Sequence, residues 1–233
     1  MKVIYFFLLI TCYVACSPNN VTIDNSLQHF FDDNKVQGTF GIYNNGSDQF
    51  TIYNLSRFKD SAYLPASTFK VVNSLIGLET GKISNEKMVI KWDGITRPVA
   101  AWNRDLSMDS AFKVSAVPYF QEVARRIGKD TMQFWLDSLG YAQRYGKFKV
   151  GTIDTFWLDN TVKITADEQL GLVKRLYFYY PHTSFLKWQL VKVQSFNQSK
   201  LLISSYLHRI VKPESINGTY FEFAIALGIA QAI

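Results

Sequence analysis

Residues 64–82 read LPASTFKVVNSLIGLETGK, and the reading of this stretch decides the fold. From Ser67 to Thr80 it is apolar on nearly every helical face, and Gly81 follows where a left-handed helix end would fall. A helix without a polar face belongs in the interior. Ser67 and Lys70 lie three residues apart, so a helix puts them on one side. Pro65 forces an extended approach, which predicts Ser67 in the first turn, where free backbone N–H groups and the positive helix end support a developing anion. Lys70 is predicted to be largely buried, and desolvation favours its neutral amine. A neutral amine beside a serine hydroxyl can remove the serine's proton, which makes a nucleophile without histidine. The same residues allow a plainer reading, in which Ser67 caps the helix and Lys70 snorkels to the surface. Spacing does not choose between the two, because Ser84/Lys87, Ser110/Lys113 and Ser184/Lys187 share it.

The chain has 233 residues, enough for one sizeable domain or two small ones, and its 48% hydrophobic and 19% charged content is that of a packed globular protein. A net charge of +6 without any run of Lys and Arg argues against a nucleic-acid partner. With three His in all, and none near a Ser and Asp that the sequence brings together, a histidine-based triad is unsupported. Acidic and His residues do not gather at ligand spacing, so no metal is expected.

The opening MKVIYFFLLITCYVAC has a short basic start, an apolar run of about a dozen residues and a small residue before Cys16, the layout of a secretory signal. It is too short for a spanning helix. Export to a bacterial periplasm or membrane surface is the expectation. Ala15 before Cys16 resembles the bacterial lipoprotein signal, in which Cys16 carries lipid and becomes the mature N-terminus, although Tyr13 stands where that motif usually has leucine. Plain cleavage near Ala15 is the alternative. Cys12 lies inside the signal, so the mature chain keeps at most Cys16 and no structural disulfide is expected.

Beyond a polar leader, residues 38–54 (GTFGIYNNGSDQFTIYN) hold two aromatic and β-branched runs about Asn45-Gly46, a hairpin signal. Residues 115–139 predict two helices: an amphipathic one from Gln121 to Ile127 ending at Gly128, and one capped by Asp130 and ending at Gly140. Residues 155–164, TFWLDNTVKI, have strand character. Residues 165–178 open on a Thr165 to Glu168 capping box with apolar residues at helical spacing. From Tyr179 onward aromatics and Ser scatter without a period until a last apolar run, strand or helix. A hairpin, a run of helices and later strands make an α+β fold of sheet and helical cluster, which no repeat or Pro/Gly-rich linker divides.

Five blocks carry a resemblance: PASTFKVVNSLIGLETGKI (65–83), IKWDG (90–94), AWNRD (101–105), SAFKVSAVPYFQEVARRIG (110–128) and IDTFWLD (153–159). In order, identity and spacing the chain resembles the class D (oxacillinase-type) serine β-lactamases from about Gly38 to Phe178. The resemblance implies the serine β-lactamase and penicillin-binding transpeptidase-like fold, with a central antiparallel sheet, and hydrolysis of β-lactam antibiotics, small-molecule substrates. It implies that Ser67 is the acylated nucleophile and Lys70 the general base, N-carboxylated by carbon dioxide. A carboxylated lysine agrees with the burial argument, since only an unprotonated amine reacts with carbon dioxide. Trp157 matches the tryptophan whose indole N–H holds that carbamate. Ser115 of Ser115-Ala116-Val117 matches the serine that relays a proton to the leaving nitrogen, and Val117 the valine that helps keep the lysine pocket dry. Trp102 matches a framework residue near the site rim.

Two departures accompany the resemblance. The family's Tyr-Gly-Asn triplet has Tyr145-Gly146-Lys147 in its place, or less closely Tyr141-Ala142-Gln143. More seriously, no Lys followed by Ser or Thr and then Gly exists in the chain, a motif that in the family supplies the cation for the substrate carboxylate and, from the same strand, the second oxyanion N–H. The expected plan is therefore a signal (1–15), a leader (16–37), a β-lactamase-like domain (38–178) and a C-terminal segment (179–233) that is either frameshifted or divergent. An out-of-frame segment would leave a sheet edge and apolar faces uncovered. Beside hydrolysis stand two alternatives, a β-lactam sensor acylated without turnover and an inactive remnant.

Overall fold

The computed structural model describes residues 19–44, 46–179, 222–225 and 231–232. Cys16 with the signal-like leader, Asn45 of the hairpin turn, the Ser184/Lys187 pair and most of the segment after 179 lie outside them. The polar leader holds more structure than its composition suggests: β1 (Val21–Ile23), α1 (Gln28–Asp33) and β2 (Val36–Gln37). The expected hairpin follows as β3 (Phe40–Asn44) and β4 (Gln49–Tyr53), paired antiparallel with Ile42 opposite Thr51. Next come α2 (Leu55–Asp60), β5 (Ala62–Tyr63) and α3 (Phe69–Glu79). β6 (Val89–Ile90) and β7 (Leu106–Ser107) flank a loop, after which stand α4 (Met108–Lys113), α5 (Val117–Ile127) and α6 (Lys129–Leu139). The described chain closes with β8 (Ile164–Thr165), α7 (Ala166–Tyr179), β9 (Glu222–Ile225) and β10 (Gln231–Ala232). The boundary expected at residue 178 falls in the last turn of α7.

The main sheet runs β1-β4-β3-β9, with β1 parallel to β4 and β3 antiparallel to both its neighbours. Two-stranded antiparallel pairs join β10 to β2, β5 to β8 and β6 to β7. This is an α+β fold of sheet and helical cluster.

The axis of the helical cluster is α3. Every residue from Phe69 to Gly77 is buried, as an all-apolar helix requires, and Gly81 closes the helix at φ +66°. The partners are Phe120 and Val123 of α5, Met132 and Leu136 of α6, and Phe156 and Trp157. Gly77 permits the close crossing of α3 and α5, because a Cβ there would stand 3.0 Å from Ile83 and 3.1 Å from Val123. On the sheet side, Tyr43 and Ile52 pack with Phe58 of α2 and with Ala166, Leu170 and Val173 of α7. Gly41 in β3 leaves room for the Phe58 ring, whose nearest atom would be 2.4 Å from a Cβ.

Several local expectations change. The first helix after residue 115 begins at Val117 rather than Gln121, because Pro118 suits a first turn, where its missing N–H costs nothing. Asp130 lies inside the first turn of α6 and is not its cap; the carboxylate complements the positive helix end from there. Residues 155–164 are not a strand except at Ile164. The Asp159 carboxylate accepts from Thr155 Oγ1 at 2.9 Å and from the Thr161 N–H at 3.0 Å, which winds the segment into turns that compete with a ladder. The capping box forms as expected: the Glu168 N–H donates to Thr165 Oγ1 at 3.1 Å and the Thr165 N–H to the Glu168 carboxylate at 3.0 Å.

Candidate active site

Ser67 stands one step ahead of the expected position, in the 3-10 turn Ala66–Thr68 that leads into α3. The extended approach ends with β5, and Pro65 is already helical at φ −64° and ψ −30°. The Ala66 N–H donates to the Trp157 carbonyl at 3.2 Å, and Ala66 takes a φ of +45°, a left-handed conformation that costs a non-glycine residue about 1 kcal/mol. The turn leaves Ser67 exposed while Lys70, one turn on, is only 3% exposed. That burial disposes of the snorkelling alternative.

The Lys70 Nζ donates to Ser67 Oγ at 3.0 Å and to Ser115 Oγ, and the two serine oxygens are 3.1 Å apart, so the three side chains close a triangle. The Phe120 ring lies 5.5 Å from the amine. Burial pushes the Lys70 amine down to about 8, so that about one amine in ten is neutral at pH 7. An exposed hydroxyl, a buried neutral amine and a second hydroxyl in mutual contact can pass a proton from nucleophile to base and back to a leaving group.

Ser115 reaches the triangle from a strained backbone. Its φ is +53°, held by its N–H on Phe112 O at 3.1 Å and the Ala116 N–H on Ala111 O at 2.8 Å. The Trp102 indole Nε1 donates to the Val114 carbonyl at 2.9 Å, pinning the residue just before Ser115. Trp102 is thus a positioning residue, a task that no motif or spacing in the sequence announced. Val117 is half-buried as the first residue of α5. Trp157 is 1% exposed and stacked on Phe69 with ring centroids 5.0 Å apart.

Three further side chains bear on the triangle. Thr68 Oγ1 donates to Pro65 O at 2.6 Å and reaches Gln169 Oε1 of α7 at 3.4 Å. Asn73, fully buried on α3, donates from Nδ2 to the Phe120 carbonyl at 2.7 Å. The sequence reading did not single out Asn73, and its only trace there is an amide three residues after Lys70 in an otherwise apolar helix. Of the two tyrosine triplets, Tyr141 is buried edge-on against Phe69, whereas Tyr145 is 64% exposed and donates to Asp60 O at 2.5 Å. The 91–105 loop beyond the site is tied to itself: Trp92 Nε1 donates to Ile95 O at 3.0 Å, and the Arg97 guanidinium, 2.5 Å from Asp93, holds that carboxyl well below the usual carboxylate range. Among the described residues, no group of His, Cys, Asp and Glu could hold a metal ion.

Comparison with known proteins gives a consistent set of matches. The penicillin-binding protein transpeptidase domain matches residues 27–215. Beta-lactamase OXA-48 of Klebsiella pneumoniae is 42% identical over 163 residues, covering 70% of this chain and 60% of its own. The chain spans about three fifths of the length of the curated β-lactamases it matches. Among solved structures, the class D β-lactamase YbXI from Nostoc superimposes with a TM-score of 0.67 at 31% identity, covering 76% of this chain and 73% of that one. The C-terminal domain of the Bacillus licheniformis BlaR penicillin-receptor superimposes with a TM-score of 0.68 at 30% identity, covering 78% of this chain and 72% of that one.

Proposed function

The chain belongs to the penicillin-binding transpeptidase family, on its class D β-lactamase branch, and from that premise we propose that it opens β-lactam rings through an acyl-enzyme on Ser67. The observation that carries the reading is the Ser67–Lys70–Ser115 triangle around a buried amine. Neutral Lys70 takes the Ser67 proton as Oγ bonds to the lactam carbonyl carbon. The ring C–N bond then breaks, and its nitrogen takes a proton from Ser115 Oγ, which recovers one from Lys70. In the second half a water adds to the ester, gives its proton to the base, and Ser67 Oγ leaves with a proton restored. The Ser67 N–H at the head of α3 serves the developing oxyanion.

The amine fits N-carboxylation by carbon dioxide, since burial supplies the unprotonated form that the addition needs. Carboxylation would make Lys70 an anionic base for both halves of the reaction. Trp157 and the two serine hydroxyls are the donors assigned to hold that charge, and Val117 is assigned to keep water from it. We further propose export, with Cys16 as a lipid-bearing N-terminus. No residue is assigned to the cation role of the absent Lys-Thr-Gly motif.

A sensor acylated without turnover is the second reading, favoured by the likeness to the BlaR penicillin-receptor domain. Intact mass of the protein against time after adding a penicillin, with and without bicarbonate and beside Ser67→Ala, separates the readings. An adduct that forms and decays, faster with bicarbonate, is the expected result. A lasting adduct gives the sensor, and no adduct on folded protein overturns both.

A further inference from the structure

The catalytic triangle is assembled from two helices that meet only through the core. Lys70 lies in the first turn of α3 and Ser67 in the 3-10 turn that leads into it, and Ser115 precedes α5 by two residues. Their crossing is set in depth by Gly77 against Val123. Apolar contact of that kind is non-directional and fixes separation better than it fixes sliding. A slide of α5 by one residue is about 1.5 Å along its axis, enough to carry Ser115 Oγ out of hydrogen-bond range of Lys70.

Tyr119, Gln121 and Arg125 tie α5 to Met88 and Asp154, and among the described residues one side-chain hydrogen bond joins α5 directly to α3 and opposes that slide. Asn73 Nδ2 donates to the carbonyl of Phe120 at 2.7 Å, between residues 47 apart in sequence. The orientation of the amide is unambiguous, because a carbonyl only accepts. It follows that Oδ1 is the atom left over, and it is buried without a partner. A fully buried amide satisfied on one side only is costly, and an apolar side chain would avoid that desolvation. The residue it grips carries the ring that faces the Lys70 amine at 5.5 Å, and the grip lies three residues into α5 from its first residue. Asn73 is itself one turn along α3 from Lys70, so a single bond ties the amine's helix to the helix that Ser115 leads into.

We propose that Asn73 is a positioning residue for the acylation reaction, setting the register of α5 on α3 and with it the reach of Ser115 to Lys70 and Ser67. This rests on the β-lactam reading above for its chemistry, although not for its geometry. The test compares wild type with Asn73→Leu, which keeps the number and branching of the side-chain heavy atoms and removes the donor. Acylation by a penicillin, followed by intact mass, is expected to fall about 100-fold, the effect of displacing a reacting group by ~1 Å. The melting temperature should hold or rise, and in the crystal structure of the variant Ser115 Oγ should stand beyond hydrogen-bond distance of Lys70 Nζ. In a cycle with Ser115→Ala, the two losses should fail to add, because one acts through the other. Acylation within threefold of wild type, or a Ser115 to Lys70 contact that is unmoved, overturns the proposal. If Asn73→Leu does not fold, Asn73→Ser decides by the same readouts, since its hydroxyl is too short to reach Phe120 O. If wild type is not acylated at all, the proposed activity fails, and the Ser115 to Lys70 separation in the wild-type and variant crystal structures still decides the positioning claim.

Discussion

The two sides of the molecule treat buried polar groups differently. On the sheet side the polar side chains are matched: Tyr43 OH donates to Asp48 at 2.7 Å, Thr39 Oγ1 to Tyr53 O at 2.6 Å, and Lys174 sits 3.2 Å from Asp48 over the Tyr43 and Phe50 rings. Around α3 they are not. Among the described residues, the buried side-chain atoms without a partner are Asn73 Oδ1, Ser74 Oγ, Tyr141 OH and Gln169 Nε2. The first two are on α3, Tyr141 packs on Phe69, and Gln169 reaches Thr68. Left-handed non-glycine residues occur on both sides, Lys35, Asp48 and Asn54 near the sheet and Ala66 and Ser115 near the triangle, so it is the unpartnered buried atoms that gather where the triangle is. The sheet side is arranged to be stable and the α3 side to hold a geometry.

The sharpest way to break this contrast is Lys70→Met. Acylation should fall by about 10²–10⁴-fold, the usual worth of a positioned base. Stability should move the other way. The folded amine has a pKa of about 8 against an ordinary value of 10.5, so at pH 7 its burial costs about 3 kcal/mol, at about 1.4 kcal/mol per unit. Because the unfolded chain binds more protons between pH 8 and 10.5, wild-type stability rises through that window and the advantage of the variant shrinks. Urea melts of both proteins at about pH 7 and about pH 10 check the sign; an advantage that widens with pH would contradict it.

Phe58→Ala is the counterpart on the sheet side. Removing a 1%-exposed ring between β3 and α7 should cost about 3–5 kcal/mol while the acylation rate of the folded fraction stays near wild type. A loss of rate without a loss of stability would show the two sides to be coupled. A smaller effect is expected from Trp102→Phe, which keeps an aromatic ring and deletes the N–H on Val114 O. Acylation should slow about tenfold, the worth of one hydrogen bond of about 1.4 kcal/mol, and an unchanged rate would show that Ser115 is held without it. The smallest is Lys174→Met, at about 0.5–1 kcal/mol in a denaturant melt with no change in acylation.

What the sequence revealed follows the same division. The apolar helix that carries Ser67 and Lys70 announces its burial, whereas the chemistry was legible only through the resemblance of the five blocks around it, because a serine and lysine three apart also fit a cap and a snorkelling side chain. The hairpin and the Thr165 to Glu168 box are local patterns, complete within a few residues, and they stand as expected. The start of α5, the turns about Asp159 and the tasks of Trp102 and Asn73 depend on contacts across the fold. Trp102 meets Val114 and Asn73 meets Phe120 only after the chain has folded, and no spacing rule records such a meeting.

The order β1-β4-β3-β9 also has a consequence for how the chain is made. β3 emerges from the ribosome with β4 close behind, but the strand that lies along its other side comes roughly 180 residues later. At ~5–20 residues per second, that edge waits about ten to forty seconds for its neighbour during synthesis. For all of that interval the nascent chain presents an open row of main-chain donors and acceptors, the feature on which strands of other chains pair. Holdase demand in the cell should therefore concentrate on the nascent chain rather than on the finished protein.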